Sequence, residues 1–324
     1  MSDQFLASLG PLIARINQKL REELAESNVF PAQVGLYGLG SGGKRIRPAI
    51  FCLMAAVLGR KTDEEVLRQS TSFEFLHLAT LYHDDIVDKS DTRRGQPAAH
   101  RAFGVPEALL AADYLLAKSA EVSLATKNMD CFNIFIRIIK ELSLGELEQL
   151  KNQDNGDLPL VEYEKTIYRK TAVLIEGVGL IVGQWLGASA AEVAALGEFG
   201  RLLGLAFQIT DDLLDYEGAP LDLGKPIGQD LDEGRVTIPF ILARDRLGPT
   251  ERGRLVALGQ KVRRDPSLKE EIIGLVTKGQ GLALARALAL DLAKKANETL
   301  KVFPRKAARE KLIKLNEALV QRDK

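Results

Sequence analysis

Proline is missing from three long stretches of this chain: between Pro48 and Pro97, between Pro106 and Pro159, and between Pro159 and Pro220. An interior proline costs a helix about 3 kcal/mol, so stretches this long suit helices of several turns. They are filled with Leu, Ala, Ile and Glu, and their apolar residues recur at helical spacing. No segment alternates with a clear period of two, and no hairpin dipeptide or fixed-length repeat is found. Aromatic residues make up only 6% of the chain, which also disfavours a β-sandwich. Gly- and Pro-containing segments at 40–48, 152–159 and 218–228 read as loops. No polar linker divides the chain, so the expectation is one all-α domain over residues 1–324, with ten or more helices.

Charge and composition remove several functional classes. Forty-four Lys and Arg balance 44 Asp and Glu, which argues against a general nucleic-acid binder. Cys52 and Cys131 sit in apolar surroundings and suggest neither a disulfide framework nor a thiolate metal site. The uncharged stretch between Glu176 and Glu192 is shorter than the ~18 residues that begin to suggest a membrane span. Its Gly179, Gly183 and Gly187, four apart, predict a small-residue helix face on which a neighbour packs closely. The first residues lack a basic segment followed by a long apolar one, so the expected location is cytoplasmic.

Two acidic clusters carry the chemistry. Asp84-Asp85-Ile86-Val87-Asp88 ends one apolar helical run, and Asp211-Asp212-Leu213-Leu214-Asp215 ends another. Acids four apart share a helix face and are usually solvated. Three carboxylates at the end of an apolar helix repel one another instead, and call for a cation. Six carboxylates without Cys or clustered His point to a hard divalent ion. Mg²⁺ fits best, because it keeps its waters and takes one or two carboxylates plus phosphate oxygens.

The basic residues supply the complementary half. Lys44, Arg45 and Arg47 lie in a Gly-rich turn, Arg93 and Arg94 follow the first cluster, and Lys225 follows the second. Lys170 precedes Thr171 at the expected start of an apolar helix. Basic pairs beside acidic clusters suggest a diphosphate site, with Arg as bidentate donor and Lys as point charge. His77 lies two helical turns before Asp84, and reads either as a core histidine or as a phosphate contact.

These residues resemble the trans-isoprenyl diphosphate synthase (polyprenyl synthase) family, most closely its octaprenyl-type long-chain members. The likeness runs through GGKRIRP (42–48), FLHLATLYHDDIVD (75–88), RRGQPAAH (93–100) and GELEQL (145–150). It continues through KTA (170–172), AFQITDDLLDY (206–216), GKPIGQDL (224–231) and EGRVTIP (233–239), so that it covers most of the chain. The resemblance implies an all-α isoprenoid-synthase bundle around a central cavity, usually a homodimer. It implies Mg²⁺-dependent head-to-tail condensation of isopentenyl diphosphate onto an allylic diphosphate.

Residue by residue, it implies three Mg²⁺ ions held mainly by Asp84, Asp88 and Asp211, with Asp85, Asp212 and Asp215 in support. Lys44, Arg47, His77 and Arg94 match contacts to isopentenyl diphosphate. Arg93, Lys170, Thr171, Gln208 and Lys225 match contacts to the allylic diphosphate. Thr171, Gln208 and the Lys170 carbonyl would stabilise the carbocation. Arg235 matches a further diphosphate contact but stands where the family usually has Lys, and Ala112 stands where Gly is common.

In this family, side chains just before the first Asp cluster limit product length. Here Leu76, Ala79 and Thr80 occupy that segment, and Ala79 lies roughly 7.5 Å along the helix from Asp84. Small residues there predict an open channel, an all-trans product of C30–C45, and a shorter product for Ala79→Tyr. A geranylgeranyl (C20) product stays open if Phe132 or Phe135 closes the channel deeper down. A non-catalytic partner subunit is the other alternative, though such subunits lose an Asp cluster and this chain keeps both.

Overall fold

The computed structural model describes residues 5, 7–25, 29–218 and 227–321. Helices α1 (Gly10–Ala25), α2 (Phe30–Gly40), α3 (Ile46–Val57) and α4 (Glu64–Val87) open the fold. After a short hairpin come α5 (Ala99–Phe103), α6 (Val105–Leu124), α7 (Met129–Lys151) and α8 (Leu160–Ile167). A π-helical turn, Tyr168–Ala172, joins α8 to α9 (Val173–Trp185), and the long α10 (Ala190–Glu217) follows. The chain continues through α11 (Gln229–Asp232), α12 (Ile238–Arg244), α13 (Pro249–Gly259), α14 (Lys269–Lys278), α15 (Gly281–Thr299) and α16 (Lys306–Val320). The all-α expectation holds, with one addition. Just after the first Asp cluster, Thr92–Arg93 pairs antiparallel with Gln96–Pro97. Two residues per strand are too few to show an alternating pattern in sequence.

The two helices that carry the Asp clusters are set from their N-termini. Asp63 caps α4 by accepting the Val66 backbone N–H, and Ser189 and Glu192 form a reciprocal capping box on α10. Each cap contributes about 1 kcal/mol. At the other end, α4 stops at Val87, so Asp88 is its C-cap rather than an interior residue. Both clusters therefore sit at the negative end of a helix dipole, which adds to their need for a cation.

Two apolar cores share α10. Leu196, Phe199, Leu202 and Leu203 join one with α1–α4, α6, α7 and α9. Ala206, Ile209, Leu213 and Tyr216 join the other with α8 and α12–α15. The π-turn lies at the same seam, with Ile167 in the second core and Val173 in the first. Close helix approach is secured by glycine. A Cβ at Gly179 would strike the Leu196 carbonyl, and one at Gly183 would crowd Val193. Gly187 departs from the predicted stripe. It lies beyond α9 at φ +67° with open space around it, and serves the turn instead.

Candidate active site

Lys170 and Thr171 do not begin a helix, as the sequence suggested. They lie in the π-turn in the middle of a helical run from Leu160 to Trp185. The GELEQL segment of α7 explains how this turn is held. Gly145 lies so near the turn that a Cβ there would meet the Lys170 backbone nitrogen at 2.9 Å. Its neighbour Glu146 pairs with Lys170 at 2.6 Å, while Arg169 pairs with Glu141 at 2.9 Å and also with Glu148. π-turns recur at functional sites because they shift backbone and side-chain register locally.

Gly204 plays the matching part on α10. A Cβ there would lie 2.5 Å from Ala172 Cα, so only glycine admits the turn at this distance. One turn later Gln208 meets Thr171. The Thr171 hydroxyl donates to Gln208 Oε1 (2.7 Å), Gln208 Nε2 donates to Asp212 Oδ1 (2.9 Å), and the Tyr163 hydroxyl donates to Asp212 Oδ2 (2.6 Å). Asp212 is buried, and its carboxyl is pushed above the usual range by desolvation, against the bonds from Tyr163 and Gln208. Because Thr171 commits its single hydroxyl proton to Gln208, it has only lone pairs to offer any other group. Lys170, Gln208, Asp212 and Tyr163 line a cleft of about 160 Å³, together with Asp230 and Arg235.

The first cluster faces the same region. Burial pushes the Asp84 carboxyl up to about 7; Lys170 opposes this, while Glu146 and Asp88 reinforce it. Asp85 is buried and accepts the Arg93 Nε at 2.9 Å. Asp88 accepts Arg235 Nη2 at 2.8 Å, and Arg235 also pairs with Glu233 and lies 3.9 Å from Asp230. In the second cluster, Asp215 accepts the backbone N–H groups of Gln229 and Asp230 at 3.0 and 3.1 Å and fixes the start of α11. Asp211 is half-buried and acts on Arg47, which links the second cluster to the Gly-rich turn. Lys225 lies outside the described residues.

At the other end of the site Lys44 is exposed and Arg47 is half-buried, with a buried Nε that has no partner. Arg94 donates to the Gly42 carbonyl. His77 is held well below its usual pKa by burial, then by Arg47, Arg94, Arg93 and Arg45, so the imidazole is neutral. Arg45 is taken up by Glu74 and Arg93 by Asp85, so Arg47 and Arg94 beside the neutral ring are the charges open to an anion.

The carboxylates fit a cation that arrives with its own ligands. Among the described residues no three His, Cys, Asp or Glu side chains converge as a closed metal cage. Mg²⁺ needs none, since waters and phosphate oxygens complete its octahedron. The raised Asp84 carboxyl is the acceptor such an ion would suit.

Ala79 and Leu76 are each 1% exposed and packed in the core, whereas Thr80, His77 and Leu81 keep partial access. Five residues rotate a helix by about 500°, so Ala79 points some 140° away from Asp84, while Thr80 lies one turn beneath it. Deeper down, Phe73 meets Phe135 edge-on at 5.8 Å and Phe51 at 5.8 Å, and Phe51 meets Trp185 at 6.0 Å. Phe135, not the half-buried Phe132, enters this aromatic layer.

Sequence reasoning missed Tyr163, Glu146, Asp230 and Glu233. Glu146 lies in a segment whose resemblance was visible but whose role was not. Tyr163 left no signal, because its distance to Asp212 exists only in the folded chain.

The polyprenyl synthetase family model matches residues 31–276. The chain is 34% identical over 312 residues to the octaprenyl diphosphate synthase of Escherichia coli (strain K12), covering 96% of each chain. It is 31% identical over 319 residues to the nonaprenyl diphosphate synthase of Mycobacterium tuberculosis, covering 98% of this chain and 94% of that one. Its fold is similar to the crystal structure of a decaprenyl diphosphate synthase from Rhodobacter capsulatus, with a TM-score of 0.88, 31% identity and full coverage of both chains.

Proposed function

Because this chain belongs to the polyprenyl synthetase family, we propose that it is a long-chain trans-polyprenyl diphosphate synthase. It is a prenyltransferase that extends an allylic diphosphate with isopentenyl diphosphate, head to tail, to an all-trans product of C30–C45, with residues 1–324 acting as one domain. The observation that carries the reading is one cleft lined by Lys170, Gln208, Asp212 and Arg235, to which Asp84 is tied through Lys170, Asp88 through Arg235 and Thr171 through Gln208.

Members of the family depend on Mg²⁺. Asp84, Asp88 and Asp211 are the residues to hold three ions here, and Mg²⁺ bound with the substrate would offset charge developing on the departing diphosphate. Asp85, Asp212 and Asp215 act in support, each fixed by its own partner. Lys170, Arg93 and Lys225 bind the allylic diphosphate, and Arg235 steadies Asp88 beside it. The lone pairs of Thr171, the oriented Gln208 amide and the Lys170 carbonyl face the allylic cation formed when the C–O bond breaks. Lys44, Arg47, Arg94 and His77 hold isopentenyl diphosphate so that its double bond attacks that cation. The adduct then loses a proton to the released diphosphate. The apolar walls exclude water, which would otherwise quench the cation.

A homodimer is supported by an exposed apolar stripe on α7 (Met129, Ile136, Leu147) beside Leu109, Leu110 and Leu124 of α6. Among the described residues no single helix is long and apolar enough to cross a membrane. The aromatic layer at Phe73 is the one observation that favours the C20 reading, because it closes the core beneath Asp84. The test is product analysis: protein, Mg²⁺ and isopentenyl diphosphate with dimethylallyl, geranyl or farnesyl diphosphate, then dephosphorylation and mass spectrometry. Prenols longer than C20 support the reading. A C20 end product moves the limit to Phe73 and Phe135, and no condensation with any primer overturns it.

A further inference from the structure

Arg45 does not line the cleft, yet all three arms of its guanidinium are anchored. It is 5% exposed, and its guanidinium donates to Asn17 Oδ1 on α1 (2.8 Å), to Glu74 Oε1 on α4 (2.8 Å) and to the Leu39 carbonyl on α2 (2.6 Å). One side chain therefore ties three helices to the loop that precedes α3.

That loop needs tying. Gly42 and Gly43 adopt φ of +91° and +129°, and Arg45 itself sits at φ +49°, a conformation that L side chains rarely adopt. Such strain persists only where the surroundings over-determine it. The loop is gripped from both sides: Arg94 holds the Gly42 carbonyl, and a Cβ at Gly43 would meet the Arg94 and Arg45 guanidinium groups at 2.6 and 2.7 Å. Lys44 and Arg47 flank Arg45 in sequence, one exposed and one with a buried donor still unpartnered.

We propose that Arg45 is a positioning residue: through its buried pair with Glu74 it sets the Gly42–Arg47 turn so that Lys44 and Arg47 present their charges to the diphosphate of isopentenyl diphosphate. The inference rests on the function proposed above. Glu74 lies three residues before His77 on α4, so the same helix carries both the anchor and the floor of the anion pocket. Charge bookkeeping supports the division of labour. Glu74 satisfies Arg45 internally, which leaves Arg47, Arg94 and Lys44 for the ligand.

Two variants separate placement from mere support. Arg45→Lys keeps the charge opposite Glu74 but lacks the three-way fork. Arg45→Met/Glu74→Met replaces the buried pair with apolar side chains of similar size, a change that folds tolerate well. The readouts are KM for isopentenyl diphosphate, KM for the allylic diphosphate, kcat and Tm. A displaced turn is expected to raise KM for isopentenyl diphosphate roughly tenfold or more in both variants, with KM for the allylic substrate within about twofold of wild type. An unchanged KM for isopentenyl diphosphate in Arg45→Lys overturns the proposal. So does an equal rise in both KM values with a lowered Tm, which would mark a scaffold strut. Lys44→Ala and Arg47→Ala test the underlying site. If neither raises KM for isopentenyl diphosphate, the diphosphate assignment fails. If both do while Arg45→Lys does not, the positioning role alone fails.

Discussion

Arg235 Nη2 lies 2.8 Å from Asp88 Oδ2, joining the end of the first Asp cluster to the segment after the second across 147 residues of chain. The same guanidinium reaches Glu233 and lies near Asp230, so one cation serves three acids from two parts of the fold. Arg235→Ala leaves those acids uncompensated. Breaking a buried pair costs 3–5 kcal/mol, and partial exposure here reduces that to about 1–3 kcal/mol. Thermal unfolding should show the loss, and Mg²⁺ with diphosphate should restore more Tm in the variant than in wild type.

Tyr163→Phe removes one of the two side-chain donors to Asp212. An unpaired buried acceptor costs about 1–3 kcal/mol, and Gln208 loses its fixed orientation toward Thr171. Turnover should fall roughly tenfold with KM for isopentenyl diphosphate unchanged. Steady-state kinetics check this; a rise in KM with constant kcat would refute it.

Asp84 predicts the pH behaviour of the metal-free protein. Its carboxyl is pushed from 3.8 up to about 7, chiefly by burial. Between those values the folded state holds the proton that the unfolded chain releases. Its contribution to stability therefore falls as the pH rises through this window, and the full cost stands above 7. Adding Mg²⁺ and inorganic diphosphate should raise Tm more at pH 8 than at pH 6. Asp84→Asn should raise the metal-free Tm at pH 8, abolish that increment and abolish turnover.

Product length should respond at Thr80 rather than at Ala79. Thr80 retains access one turn beneath Asp84, so Thr80→Tyr should shorten the product while leaving Tm close to wild type. Ala79→Tyr forces a ring into packed core, where overpacking costs about 1–3 kcal/mol, and should show first as a lower Tm. Mass spectrometry of the prenols and a melting curve distinguish the two.

The exposed stripe on α6 and α7 should mediate self-association. Ile136→Lys with Leu110→Lys is expected to convert a dimer to a monomer in light scattering without unfolding. An unchanged mass would place the contact elsewhere.

Much of the site was legible because its charges are repeated in local patterns. Asp84 and Asp88, or Asp211 and Asp215, need only helical spacing to announce a cluster, and Lys44 and Arg47 need only a Gly-rich turn. The small-residue face was legible at Gly179 and Gly183 because helix contact repeats along one stripe. It failed at Gly187, where the helix has already ended. Tyr163 and the buried role of Glu74 were not legible, since each matters through a neighbour 29 or more residues away that only packing supplies.

The π-turn at Tyr168–Ala172 makes the site depend on a count. Deleting one residue there and healing the helix would change the composition very little. It would nevertheless turn everything upstream of Lys170 by about 100° relative to α9. Tyr163 would swing off Asp212 and Ile167 would turn out of the second core, while Val173 onward stayed in place in the first. A gap of one residue in this segment is therefore a larger change than most substitutions within it.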